Sequence, residues 1–396
     1  SLTAAALRDE RRRRLAAGLA PLALDVEDAL TAEVRAVLGG SGGTLGRYLA
    51  DPSVTDLMVN GAAHTTVSYA DGRREVGVPL AESDEAMVDA VRAALRQAGC
   101  RVDASAVAVD AALGDGSRVF AILAGGISPW PVLCVRRHHL VELASLADLE
   151  ARGMLDRGLR EFVAAAVRAR LNLIISGGPG VGKTTLARAA CHDGIGVDEF
   201  TITVEDTWEL GLHTDPARRH SVVPLLARPA NVEGAGEVTI AELCFHAKRM
   251  NPDRVIVGEV RGAEVIPMLD AMTQGSDGSL CTVHANSSRA VFTRLASYGV
   301  RAPERYRPAD VMLQVASAIN LIVHVGRRRA DGRRVVCSVR EVTGHLEADI
   351  PASNELWAPG PDGRAVPTGV GPSLDVAARL EDAGLDLAVI EQSWWR

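Results

Sequence analysis

The stretch Ile175-Ser176-Gly177-Gly178-Pro179-Gly180-Val181-Gly182-Lys183-Thr184-Thr185-Leu186 fits the pattern G-x-x-x-x-G-K-[ST], with Gly177, Gly182, Lys183 and Thr184 at the fixed places. The apolar run Leu171-Asn-Leu-Ile-Ile175 before it reads as a buried strand, and Thr184 to Cys191 after it as a helix. Strand, glycine loop and helix in that order form the context a phosphate-binding loop requires. Glycines let successive amide N–H groups turn towards an anion, and the helix adds its positive N-terminal end. Residues Gly177 to Thr185 are therefore expected to cradle the phosphates of a nucleoside triphosphate. Lys183 reaches the β- and γ-phosphates, and the Thr184 hydroxyl ligates Mg²⁺.

Working outward, 396 residues suffice for two or three domains. Aromatic residues are 4% of the chain, so its cores must be built from Ala, Val, Leu and Ile. The formal net charge of −7 argues against a protein built to coat DNA. Six scattered cysteines without a C-x-x-C pair suggest neither a zinc site nor a disulfide framework, and read as core residues in a reducing compartment. No apolar run reaches the length of a membrane span, and the amino terminus is charged where a signal peptide is apolar. A cytoplasmic protein is expected, docked at a membrane only through partners.

Residues 1–43 read as an Ala/Leu/Arg-rich helical segment, with a basic run at Arg11 to Arg14, closed by the flexible boundary Gly39-Gly-Ser-Gly-Gly43. Residues 44–145 carry short mixed elements, with turn signals at Asp71-Gly72 and Asp115-Gly116 and a helix-period face from Glu82 to Gly99, and so form an α+β domain. Residues 146–345 hold the loop and alternate strands with helices, which predicts a parallel sheet covered on both faces. Helices are expected over Leu146 to Arg170, broken at Gly153 and Gly158, and strands over Ala316 to Val325 and Arg334 to Val342. Residues 346–396 read as an extended tail with one helix near Ser373 to Ala383 and two tryptophans, Trp394 and Trp395.

In parallel sheets ligands bind beyond the carboxyl ends of the strands. Three predicted strands end there in Glu205-Asp206, Glu259 and His284. Glu259 is expected to position or deprotonate the attacking water, unless it only pairs with Arg254 or Arg261. Glu205 either binds Mg²⁺ through water or orients the nucleophile. Asp206 joins it or caps the next segment. His284 is a sensor of the γ-phosphate or a structural residue. Positive charge for the transition state has candidates in Arg118, Arg136 and Arg137 upstream and in Arg218, Arg219 and Arg228 downstream, among which composition does not choose.

Gly177–Thr185, Thr203-Val-Glu-Asp-Thr207, Arg228-Pro-Ala-Asn-Val-Glu-Gly234, Asn251-Pro-Asp-Arg-Val-Ile-Val-Gly-Glu-Val-Arg261 and Asp277-Gly-Ser-Leu-Cys-Thr-Val-His-Ala-Asn286 together resemble the ATPases of type II and type IV secretion. Leu49–Gly61 and Val109–Val119 extend the resemblance towards the tight-adherence (Flp) pilus motor branch, CpaF/TadA, over about residues 45 to 345. It implies an α/β fold: a RecA-like P-loop NTPase motor domain with a smaller α+β N-terminal domain. It also implies a homo-oligomeric ring, a hexamer, that hydrolyses ATP with Mg²⁺ and works on an inner-membrane pilus platform protein. The family's catalytic glutamate falls on Glu205, its second acidic motif on Glu259 and its histidine box on His284. Its nucleotide-touching arginines fall on Arg118, Arg136 and Arg137, and Arg228 lies in a further box. Where many relatives carry a histidine, this chain has Ser276, so the box rests on His284 alone. The segment from Cys191 to Glu199 is short for the family, and the paired-cysteine zinc module of type II export motors is missing. The leading expectation is a motor of pilus assembly. The alternatives are a conjugative DNA-transfer or pilus-retraction ATPase, and a nucleotide-gated assembly protein with little turnover.

Overall fold

The computed structural model describes residues 44–69, 73–97, 107–112, 117–123, 127–137, 145–228 and 235–387. The amino-terminal helical segment, the turns at Asp71-Gly72 and Asp115-Gly116, and Trp394-Trp395 lie outside them. Two compact units divide the chain, Ser1–His139 and Leu140–Arg396.

In the first unit, helix α1 (Thr44–Ala50) and strands β1 (Val54–Asn60), β2 (Thr65–Tyr69) and β3 (Arg74–Val78) precede helix α2 (Asp84–Gln97). Strands β4 (Ala108–Ala112), β5 (Arg118–Ile122) and β6 (Val132–Arg136) follow. They make one antiparallel sheet in the order β3-β2-β1-β6-β5-β4. Burial alternates along the strands, as a sheet packed on one face requires. Leu57, Val59, Val67, Val119, Leu133 and Val135 point inward and pack with Leu45, Tyr48, Met87, Val91 and Leu95 of the two helices.

The second unit opens with helices α3 (Leu146–Ala151) and α4 (Arg157–Arg168), strand β7 (Leu173–Gly177) and helix α5 (Lys183–Gly194). Strands β8 (Thr201–Glu205) and β9 (Val222–Leu226), helix α6 (Ile240–Arg249), strand β10 (Arg254–Val260), helix α7 (Val265–Thr273) and strand β11 (Leu280–His284) come next. Helices α8 (Ala290–Arg301) and α9 (Pro308–Ala318) lead to strands β12 (Leu321–Arg327), β13 (Arg334–Glu347), β14 (Ile350–Pro359) and β15 (Ala365–Pro367), and then helix α10 (Leu374–Asp382). The nine strands run β15-β14-β13-β12-β7-β11-β10-β8-β9. From β12 to β9 the sheet is parallel, and β13 to β15 extend it antiparallel. Strand β7 sits inside the parallel part and is buried along its whole length. Leu173 and Ile175 join a core with α4, α5 and α10, while Ile174 joins the opposite core with α6 to α9. Both faces are therefore covered, which explains why these strands read as unbroken apolar runs.

Four local expectations are corrected. Gly158 lies inside α4, because Asp156 caps the helix start by accepting from the Leu159 N–H at 2.8 Å. Ala316 to Ala318 close α9, where Pro308 at the first turn and apolar Val311, Met312 and Val315 set a helical period. Residues 346–367 are sheet rather than tail: β13 and β14 meet in a hairpin whose turn is Ala348-Asp349, with φ of 47° and 64°. Trp357 on β14 is buried edge-on to Phe162, with ring centroids 4.8 Å apart. Strand β9 lies between the strands ending in Glu205 and Glu259, in the stretch of Arg218, Arg219 and Arg228 where no strand is expected from the sequence.

Candidate active site

Parallel pairing puts the phosphate loop, Glu205, Glu259 and His284 on one edge of the second sheet, with His284 in register with Gly177. The loop is held tightly where it leaves β7. A Cβ on Gly177 would meet the Val325 carbonyl oxygen at 2.3 Å and Val181 Cγ2 at 2.8 Å, so only glycine fits. Val181 is buried in the core of the unit, which gives that loop position a packing role. Gly182 has φ 98° and starts α5 without a side-chain cap, leaving the first helical N–H groups to an anion.

Lys183 is 6% exposed, and its Nζ donates to the Gly178 carbonyl at 3.0 Å. The same Nζ lies 3.3 Å from His284 Nδ1 and 3.4 Å from Nε2. His284 Nε2 is 2.6 Å from Glu259 Oε1, and Arg261 Nε is 3.3 Å from Glu259 Oε2. Arg261 also pairs with Asp206. The result is one continuous polar chain, Lys183–His284–Glu259–Arg261–Asp206. Burial, then the nearby Lys183 and Arg261 charges, lower the His284 pKa, so the ring is neutral at pH 7 and donates from Nε2 to Glu259. Thr184 and Thr185 are part-buried at the first turn of α5.

Glu205 is 1% exposed. Its Oε2 accepts from the Glu209 and Leu210 N–H groups, both at 2.7 Å, while Oε1 is buried with no hydrogen-bond partner. Burial pushes its pKa up to about 7 against the opposing pull of those two N–H groups. The Thr203 hydroxyl also pulls the pKa down, and a buried carboxyl poised near neutrality at this strand end suits proton transfer.

Of the two arginines considered as partners of Glu259, the contact is made by Arg261. Arg254 is fully buried at the start of β10, on the far edge, where its Nε is 2.8 Å from Glu199 Oε2 and its Nη1 donates to the Val167 carbonyl at 2.7 Å. Ser276 lies at that far edge too, with its Oγ donating to the Pro252 carbonyl at 3.2 Å. Its departure from the family pattern falls outside the Lys183–His284 chain. The downstream arginines are not gathered at the loop. Arg218 is buried and donates to the His192 and Ile195 carbonyls at 2.6 and 2.9 Å, closing the end of α5. Arg228 donates to the Gly236 carbonyl at 2.6 Å, and Arg219 is exposed. In the first unit, Arg137 donates to the Tyr48, Leu49 and Asp51 carbonyls and so stabilises the end of α1. Arg118 and Arg136 are direct cross-strand neighbours on β5 and β6. Two buried groups escaped the sequence reading. His324 Nδ1 is 2.9 Å from Ser176 Oγ beside the loop, with its pKa pushed down to about 4 by burial and by Lys183. Arg188 on α5 interacts electrostatically with Glu205. Only the parallel pairing of β12 with β7, invisible in sequence, brings His324 there.

A family model described as type II/IV secretion system protein matches residues 42–347. A protein of Mycobacterium tuberculosis strain H37Rv, named for conjugal transfer, is 38% identical over 317 residues, covering 77% of this chain and 86% of that relative. A TrbB conjugal transfer protein of Sinorhizobium fredii is 28% identical over 290 residues, covering 72% and 83%. The X-ray structure of the Yersinia pseudotuberculosis ATPase DotB superposes with a TM-score of 0.52 at 16% identity, covering 77% of this chain and 79% of that one. That last likeness is one of fold: a RecA-like phosphate-loop domain with a smaller α+β domain before it.

Proposed function

The chain belongs to the type II/IV secretion system protein family, and from that premise we propose that it is an ATP-hydrolysing motor of a secretion or pilus machine. The observation that carries this is the contact chain from Lys183 through His284 to Glu259 at the mouth of the phosphate loop. Residues Gly177 to Thr185 would hold the triphosphate, with Lys183 on its β- and γ-phosphates, and Thr184, with Glu205 through water, would hold Mg²⁺. When bound, Mg²⁺ offsets the charge of the β- and γ-phosphates. Glu259 positions the attacking water, and Glu205 is the neighbouring acid. A γ-phosphate at Lys183 competes with His284 for the ammonium, and His284 passes that change to Glu259. Arg118 and Arg136 are assigned to nucleotide contact, and Arg137 and Arg228 join them only by leaving the carbonyls they hold here.

We further propose self-assembly into a ring. On the first unit's sheet, the face away from its helices carries Met58, Cys134 and Phe120 as cross-strand neighbours, with Met58 58% and Phe120 42% exposed. Exposed apolar residues grouped in this way suit a second copy of the chain.

Purified protein is expected to hydrolyse ATP in a Mg²⁺-dependent manner, with turnover reduced to background by Lys183→Ala and by Glu259→Gln. Full activity in either variant overturns the mechanism. For the cargo, pilus assembly of the Flp type remains our first reading, supported by the amino-terminal likeness and the charge of −7. Conjugal transfer is a second reading, favoured by the names of the relatives. Capture of membrane partners separates them: a pilus platform protein supports the first and a relaxase or coupling protein the second. Among the described residues no helix is long and apolar enough to cross a membrane, so contact with one is assigned to such partners.

A further inference from the structure

The turn between β12 and β13 reads Arg327-Arg328-Arg329-Ala330-Asp331-Gly332-Arg333-Arg334, five arginines around one carboxylate. Asp331 is already engaged: Arg328 pairs with it through both Nε and Nη2, and Arg333 Nε lies 3.2 Å from it. Arg327 and Arg334 stand directly opposite each other across the hairpin. Like charges placed directly opposite on paired strands are destabilising. Arg327 answers this with backbone carbonyls, Gly332 at 2.9 Å and Gly180 at 3.4 Å, which accept its hydrogen bonds without cancelling its charge.

The second of those carbonyls belongs to the phosphate loop. Arg334 reaches the same loop: its Cδ lies 3.3 Å from the place a Cβ on Gly182 would take. The two arginines thus meet the loop at Gly180 and Gly182, on either side of Val181. The hairpin is fixed in that position by backbone, since β12 pairs in parallel with β7 and sets Val325 opposite Gly177. Both side chains are exposed, so an anion can reach them.

We infer that Arg327 and Arg334 form a cationic clamp that binds the polyphosphate chain of the nucleotide from the side of the loop away from the Glu259 cluster. The inference rests on the phosphate loop holding a nucleoside triphosphate. Two positive charges beside the loop attract a polyanion, and each guanidinium offers a planar fork suited to phosphate oxygens.

The test is equilibrium binding of a fluorescent ATP analogue with Mg²⁺ to the full chain. Wild type is compared with Arg327→Gln, Arg334→Gln, the double variant, Arg333→Gln and Lys183→Ala. Each single clamp variant is expected to weaken binding by roughly 5- to 30-fold, with a shallower salt dependence. Arg333→Gln removes the same charge from the same turn and is expected to stay within about twofold. Arg327→Lys with Arg334→Lys keeps the charge and is expected to recover part of the loss, which a folding defect would not allow. A double Gln variant that binds like wild type, while Lys183→Ala does not bind, overturns the clamp alone. Wild type that fails to bind, or Lys183→Ala that binds like wild type, overturns the phosphate-loop reading and the clamp with it. A double variant that keeps nucleotide affinity but no longer sediments with phosphatidylglycerol vesicles also overturns the clamp and assigns the turn to lipid headgroups.

Discussion

Glu205 has a measurable signature even without nucleotide. Its ordinary pKa is 4.5 and burial raises it to about 7. Between those values the native state keeps a proton that the unfolded chain has released, so stability falls as pH rises from 4.5 to about 7 and is flat above. The shift corresponds to about 3 kcal/mol as an upper figure. Glu205→Gln carries no such titration. In urea denaturation it is expected to lose less stability than wild type between pH 5 and pH 8, by roughly 1–3 kcal/mol. Equal losses in the two proteins would mean that Glu205 is ionised in the native state across this range. The same variant is expected to lower ATP turnover by about 100-fold, since Gln keeps the two backbone contacts but takes no proton. His284 behaves differently. Its lowered pKa keeps it neutral above pH 7, so changes in turnover above pH 7 should not report this ring.

At the scale of elements, the hairpin joining β13 to β14 invites substitution. Ala348 and Asp349 both have positive φ, the geometry of a two-residue turn that favours Asn-Gly. Ala348→Asn with Asp349→Gly is expected to stabilise the protein by about 1 kcal/mol, seen as a small rise in melting temperature. An unchanged or lower midpoint would mean that the turn is not limiting. Trp357→Ala on the next strand should do the reverse and cost about 3–5 kcal/mol, because the ring is buried against Phe162. These two cases mark what the sequence could reveal. The strands β7, β8, β10 and β11 were legible within a residue or two, because burial on both faces writes them as apolar runs. The Ala348-Asp349 turn was not, because neither residue is glycine and the strand pairing imposes its conformation. Glu205, Glu259 and His284 were legible as strand ends. Their partners were not, since contacts such as Lys183 to His284 span 101 residues of sequence and depend on strand order. Arg218 and Arg137 were candidates for transition-state charge and instead hold helix-end carbonyls, a role that only tertiary structure assigns.

For the whole molecule, the proposed ring makes a claim that single-site assays do not reach: subunits must depend on one another. If each subunit worked alone, mixing wild type with inactive Lys183→Ala protein would lower activity in proportion to the wild-type fraction. If six coupled subunits must all be competent, an equal mixture would retain only about one part in sixty of full activity. The steep curve is expected, after the two proteins are exchanged under conditions that dissociate the ring. Phe120→Asp adds the structural arm. It places a charge in the exposed row with Met58 and Cys134, outside the buried core of the first unit, and is expected to leave the fold intact while lowering the assembled mass seen in sedimentation. The same variant should make the mixing curve linear, because subunits that no longer assemble cannot poison one another. A linear curve in the wild-type background, or an assembled mass unaffected by Phe120→Asp, would remove the ring or this face from the proposal, respectively.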